Sequence, residues 1–123
     1  MAYILVADDS VTIRRRLREL LEEIGHQVIE ASNGNEALEM LETHAVDLIV
    51  LDIVMPEKDG IETLIELSRR SIDLPVIAMS GTKSGAVDYL ETAKKFGADH
   101  VVDKPFSPKD ILDLVTNALW KPE

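Results

Sequence analysis

Leu48-Ile49-Val50-Leu51-Asp52 decides the fold: four aliphatic residues in a row, closed by a carboxylate. A strand with polar side chains at every second position has one wet face. A strand without them is buried on both, as in parallel sheets covered by helices on each side. The apolar stretch continues to Met55, broken only by Asp52, and is far too short to span a bilayer.

Working outward, similar runs rich in Ile, Val and Leu occur at Tyr3–Ala7, Gln27–Ala31, Val76–Met79 and His100–Val102. Helical patterns lie between them. Ile13, Leu17, Leu20, Leu21 and Ile24 recur at helical spacing, with Gly25 as a stop. Ala37, Leu38 and Leu41 mark a second helix, and Ile61, Leu64, Ile65 and Leu67 a third. A fourth is expected to turn Val87, Leu90, Ala93 and Phe96 inward before Gly97. The last has Ser107 as a cap, Pro108 at its first position and Asp110 in its first turn. Ile111, Leu112, Leu114, Val115, Ala118 and Leu119 continue it. The expected fold is α/β: a doubly wound, flavodoxin-like (βα)5 parallel sheet with strand order 2-1-3-4-5 and right-handed crossovers.

Composition narrows the function. A chain of 123 residues suits one domain, 1–123, able to hide roughly two-thirds of its unfolded surface. Without cysteine it has no disulfide, thiolate zinc site or thiol nucleophile. A net charge of −10 argues against a nucleic-acid partner. No basic and apolar leader is visible, so the expectation is a cytoplasmic domain with no membrane partner. Met1 and the short tail Lys121-Pro122-Glu123 suggest a complete chain.

In such sheets ligands bind beyond the carboxyl ends of the strands, at the point where the winding reverses. Those ends carry Asp8-Asp9-Ser10, Asp52, Ser80-Gly81 and Asp103-Lys104-Pro105. The order 2-1-3-4-5 would bring Asp8, Asp9 and Asp52 into one acidic pocket. Three close carboxylates raise one another's pKa unless a cation joins them. Magnesium fits, because it takes one or two carboxylates and fills the remaining positions with water and phosphate oxygens. Lys104 adds a fixed positive charge and Ser80 a hydroxyl donor. Together these groups suit phosphoryl transfer, with Asp52 as a carboxylate nucleophile. A single aspartate after an apolar strand is more often a loop or cap residue. Matched polar groups at several strand ends at once do not fit that reading.

These residues resemble the receiver domains of two-component response regulators, including the stand-alone chemotaxis type. The resemblance covers essentially the whole chain. It is carried by Val6-Ala7-Asp8-Asp9-Ser10, Leu51-Asp52-Ile53-Val54-Met55-Pro56 with Asp59-Gly60, Ser80, and Asp103-Lys104-Pro105-Phe106. It implies a signalling switch rather than an enzyme with a separate substrate. Asp52 would accept a phosphoryl group from a histidine kinase or histidine phosphotransfer protein, and output would pass to a partner protein of unknown identity. It further implies magnesium held by Asp9, Asp52 and the Val54 backbone carbonyl, with Asp8 acting through water. Ser80 would follow the phosphoryl group, Lys104 would pair with it, and the Lys104–Pro105 peptide would be cis. The chain departs from the family at Val101, where Tyr or Phe is usual, and in the lengthened Gly81-Thr82-Lys83-Ser84-Gly85 loop. Val54 and Thr82 stand where family members tune the lifetime of the phosphoryl group.

Other signals have blander readings. Gly81-Thr82-Lys83-Ser84 lacks the glycines of a phosphate-binding P-loop. Arg14, Arg15, Arg16 and Arg18 are either a solvated helix face, with Glu22 pairing Arg18, or a docking surface for the phosphodonor. His26, His44 and His100 lack metal-ligand spacing, and Trp120 packs the last helix or is partly exposed. Three rivals remain. A phosphorelay intermediate would pass the group on. An aspartate-based phosphatase would need a second Asp where Val54 stands. A phosphorylation-independent module would not need the full set of site residues.

Overall fold

The computed structural model describes residues 1–55, 57–81 and 89–120. Strands and helices alternate along them: β1 (Tyr3–Ala7), α1 (Val11–Glu23), β2 (Gln27–Ala31), α2 (Gly34–Thr43), β3 (Leu48–Asp52), α3 (Gly60–Arg69), β4 (Val76–Ser80), α4 (Tyr89–Lys95), β5 (His100–Asp103) and α5 (Pro108–Leu119). The sheet order is β2-β1-β3-β4-β5 and every pairing is parallel, as the aliphatic runs predict. Expectations placed on Pro56, on Thr82 to Gly85, on Val87, on the Leu90 side chain and on the 121–123 tail lie outside the described residues.

Side-chain alternation along the strands divides the interior in two. Leu5, Ala7, Ile49, Leu51 and Ala78 pack beneath Ala37, Leu38, Leu64, Leu67 and Ala93, from α2, α3 and α4. Ile4, Val6, Leu48, Val50, Ile77 and Met79 face Leu17, Leu21, Ile111 and Val115, from α1 and α5. The sheet is thus covered on both sides, which is why its central strands need no polar positions.

The caps follow local chemistry. The Ser10, Asn33, Asp59 and Ser107 side chains accept from the backbone N–H groups of Ile13, Glu36, Glu62 and Asp110, opening α1, α2, α3 and α5. Gly25, after α1, has φ +94, a left-handed conformation that glycine adopts without strain.

Two sets of expectations need correction. β3, β4 and β5 each run one residue further than the aliphatic pattern suggests, taking in Asp52, Ser80 and Asp103. Ladder hydrogen bonds involve the backbone and are indifferent to a polar side chain at the strand's end. Ile24, Ile65 and Phe96 do not face inward, being 48%, 46% and 44% exposed. Ile24 is the C-cap of α1, and Phe96 follows the last turn of α4. On α3 the buried stripe is Gly60, Thr63, Leu64 and Leu67, which leaves Ile65 about 100° round the helix from Leu64. Thr63 can occupy the interior because its hydroxyl donates to the Asp59 carbonyl at 2.7 Å.

Candidate functional site

The site is built by strand register. Ala7 pairs with Leu51, Asp52 with Met79, and Ser80 with Asp103, so the polar ends of β1, β3, β4 and β5 lie side by side. One carboxylate oxygen from each of Asp8, Asp9 and Asp52 falls within 4.8 Å of the others. Asp8 and Asp52 are buried and Asp9 is exposed, so the acidic group has a floor and an open rim.

Lys104 enters from the end of β5, where its backbone N–H donates to the Ser80 carbonyl at 2.9 Å. Its Nζ donates to Asp8 Oδ2 at 2.6 Å and lies 3.3 Å from Asp52 Oδ2. The Lys104–Pro105 peptide is cis. Ser80, also buried, is the neighbouring strand's last residue. Val54 is half-exposed, and its backbone N–H donates to the Asp52 carboxylate.

The electrostatics are those of a carboxylate short of counter-charge. Burial and the negative charge of Asp8 push the Asp52 carboxyl up to about 6, despite Lys104 and the Val54 N–H. For Lys104, burial acts to lower the pKa, but the carboxylates of Asp8 and Asp52 outweigh it and hold the ammonium above its ordinary value. One lysine between two buried carboxylates leaves net negative charge, to which exposed Asp9 adds. The arrangement can hold a hard cation and neutralise an anionic group placed against Lys104.

Asp8, Asp9, Asp52 and Lys104 are therefore brought together, with Ser80 at the adjacent strand end, and a further cation, Arg14, lies beside them where none was expected. Arg14 Nη1 donates to the Asp8 carbonyl at 2.6 Å, while its Nε donates to Glu30 Oε1 at 3.0 Å. Arg18 holds the other Glu30 oxygen at 2.7 Å and reaches Glu22 at 3.2 Å. Burial would raise the Glu30 carboxyl, yet Arg18 and Arg14 together bring it below its usual value. The basic cluster thus divides: Arg14 and Arg18 turn to β2, and Arg15 and Arg16 are exposed. The available signal was Glu30 itself, a carboxylate between Ile29 and Ala31 in the strand.

The remaining candidates stand apart. Val101 pairs with Ala78 and packs, partly buried, on the core under α2, α3 and α4. His26 Nδ1 accepts from the Ala2 N–H at 3.1 Å, and burial followed by the chain's N-terminal charge lowers its pKa. Trp120 caps α5 with its N–H on the Thr116 carbonyl and is 70% exposed. No described helix is long and apolar enough to cross a membrane.

Comparison with known proteins agrees with this geometry. Residues 4–116 match the response regulator receiver domain family. The chemotaxis protein CheY of Halobacterium salinarum is 38% identical over 116 residues, covering 94% of this chain and 95% of that protein. A probable transcriptional regulator, ycf27, of Cyanophora paradoxa is 40% identical over 120 residues, covering 98% of this chain but 49% of the relative. The chain thus spans about half the length of the ycf27 relatives it matches. Among solved structures, the receiver domain of the Francisella response regulator 1452 superposes with a TM-score of 0.88 at 34% identity, covering 97% of each chain.

Proposed function

Because this chain belongs to the response regulator receiver domain family, we propose that it is a phosphorylation-dependent switch whose phosphoacceptor is Asp52. The observation that carries this is the buried Asp52 carboxylate, flanked by Asp8 and Asp9 oxygens within 4.8 Å and by the Lys104 ammonium at 3.3 Å. A receiver domain is a regulator rather than an enzyme with a separate substrate.

The phosphodonor is a phosphohistidine on a kinase or phosphotransfer protein. An Asp52 carboxylate oxygen attacks phosphorus; the O–P bond forms as the P–N bond breaks, and the imidazole leaves with the bonding pair and takes up a proton. Lys104 pairs with the transferred group in place of its present contact with Asp52. Ser80, from the adjacent strand, donates its hydroxyl to a phosphoryl oxygen. The acidic oxygens, gathered within 4.8 Å of one another, fit magnesium, a hard cation that takes one or two carboxylates and fills its remaining positions with water and phosphate oxygens. Asp9, Asp52 and the Val54 carbonyl would hold the ion, with Asp8 reaching it through water. When bound, it supplies charge neutralisation for the phosphoryl group.

Phosphorylation then shifts a two-state equilibrium that alters the surface around α4 and α5, where a partner protein reads it. Val101 means that this relay runs without an inward-turning aromatic ring at that position. The chain acts as one receiver domain over 1–123 and loses its phosphoryl group by its own hydrolysis. Its acidic surface is unsuited to nucleic acid. That reading concerns these residues alone, since relatives named as transcriptional regulators are about twice as long.

The test is incubation with acetyl phosphate and magnesium, followed by intact-mass measurement. The expected result is one added phosphoryl group, absent from Asp52→Asn. An unchanged wild-type mass overturns the reading, and equal labelling of Asp52→Asn overturns the choice of nucleophile.

A further inference from the structure

Every polar atom of Asp8 is held. Its N–H donates to the Ala31 carbonyl at 3.0 Å, and its Oδ1 accepts from the Ser10 N–H at 2.9 Å. Its Oδ2 accepts from Lys104 Nζ at 2.6 Å, and its carbonyl oxygen accepts from Arg14 Nη1, also at 2.6 Å. Asp9, the next residue, is exposed, and among the described residues no hydrogen bond or ion pair holds its carboxylate. The backbone that enters Asp9 helps set the direction of its Cα–Cβ bond, from which that carboxylate's reach starts.

The Asp8 carbonyl belongs to the peptide joining Asp8 to Asp9, and a peptide unit is planar. A donor fixed on that oxygen therefore fixes the plane leading into the Asp9 Cα. Arg14 suits the task because its own orientation is fixed by Glu30, and its side chain is only 14% exposed. Glu30 is in turn held by Arg18. A planar guanidinium can hold a carboxylate and a carbonyl along two set directions at once, which a lysine ammonium on a flexible stem cannot.

We propose that Arg14, oriented by Glu30, is a positioning residue for the divalent-cation site, setting the Asp8–Asp9 peptide so that both carboxylates face Asp52. This rests on the magnesium reading above. Its consequence runs against simple electrostatics. Arg14 is a cation near a cation site, so charge alone would make its removal tighten magnesium binding. Loss of positioning makes its removal weaken binding.

The experiment is calorimetric titration of the full chain with magnesium, alongside thermal unfolding without metal to check that each variant folds. Asp9→Asn and Asp52→Asn test the underlying site. If both bind magnesium like wild type, or wild type binds none, the magnesium reading fails and this inference falls with it. If they bind weakly, Arg14→Met is expected to raise the Kd by about 10-fold or more, in the range seen when groups orienting metal ligands are removed. Glu30→Gln should weaken binding in the same direction. Arg14→Lys, keeping the charge without the planar fork, should recover only part of the affinity and serves as the test should Arg14→Met not fold. Arg15→Met, removing an exposed charge from the same helix, should not weaken binding. Binding by folded Arg14→Met, or failing that by Arg14→Lys, as tight as wild type or tighter overturns the proposal.

Discussion

Asp52 is held at a cost to the fold. In metal-free buffer its carboxyl keeps a proton up to about pH 6 in the native state, because burial and Asp8 disfavour the charge. The unfolded chain releases that proton near the ordinary value of 3.8. The native state thus binds more protons within this window, so the contribution of Asp52 to stability is intact below it and declines as pH rises through it. Asp52→Asn removes the charge while keeping the shape. In the presence of a chelator it should be more stable than wild type at pH 7, by on the order of 2–3 kcal/mol, the worth of about two pKa units. The advantage should vanish towards pH 4. Urea unfolding at several pH values checks this, and a gap of the same size at pH 4 would refute it. That Asp8, Asp9, Asp52 and Lys104 lie together was legible from their places at strand ends. Arg14 was not: Glu30 beside Ile29 and Ala31 hinted at a buried cation partner, but the bond from Arg14 to the Asp8 backbone carbonyl leaves no residue-type pattern of its own.

At the scale of elements, the start of α5 was legible because capping is local: Ser107 acts on an N–H group three residues ahead. The inward faces were less so. Ile65 matched helical spacing as well as Leu64, and only the packing of α3 on the sheet chose the stripe through Thr63. That packing begins at Gly60, whose N–H donates to the Ile53 carbonyl at 2.8 Å. A Cβ there would sit 2.4 Å from the Asp52 carbonyl oxygen and 2.6 Å from the Ile53 Cα, both of them backbone atoms. Gly60→Ala should therefore destabilise the chain by about 1–3 kcal/mol, as overpacking does elsewhere. Chemical denaturation measures it, and a variant as stable as wild type would show that α3 is not held so closely against β3.

For the whole molecule, the two apolar layers share one sheet, so neither stands without the other. Leu17 lies in the layer under α1 and α5, and Leu64 in the layer under α2, α3 and α4. Leu17→Ala and Leu64→Ala should each cost about 2–5 kcal/mol. Each should also leave a single unfolding transition, coincident by circular dichroism and by a tertiary-structure probe. Separate transitions in either variant would mean that the two layers unfold independently.

The sequence by itself determined the alternation of strands and helices, the parallel sheet with right-handed crossovers, the Ser107 cap of the last helix, and which polar groups stand at the strand ends. These follow from short-range periodicity and from chirality, which act within neighbouring segments. The tertiary structure alone decided how Asp52 is surrounded: which carboxylate Lys104 approaches more closely, how far burial raises the Asp52 carboxyl, and that Arg14 and Glu30 hold the backbone of Asp8. Distances and desolvation between residues far apart in the chain depend on strand register and on which helix face packs down. Many registers and faces fit the same periodic pattern, and only the assembled core selects one.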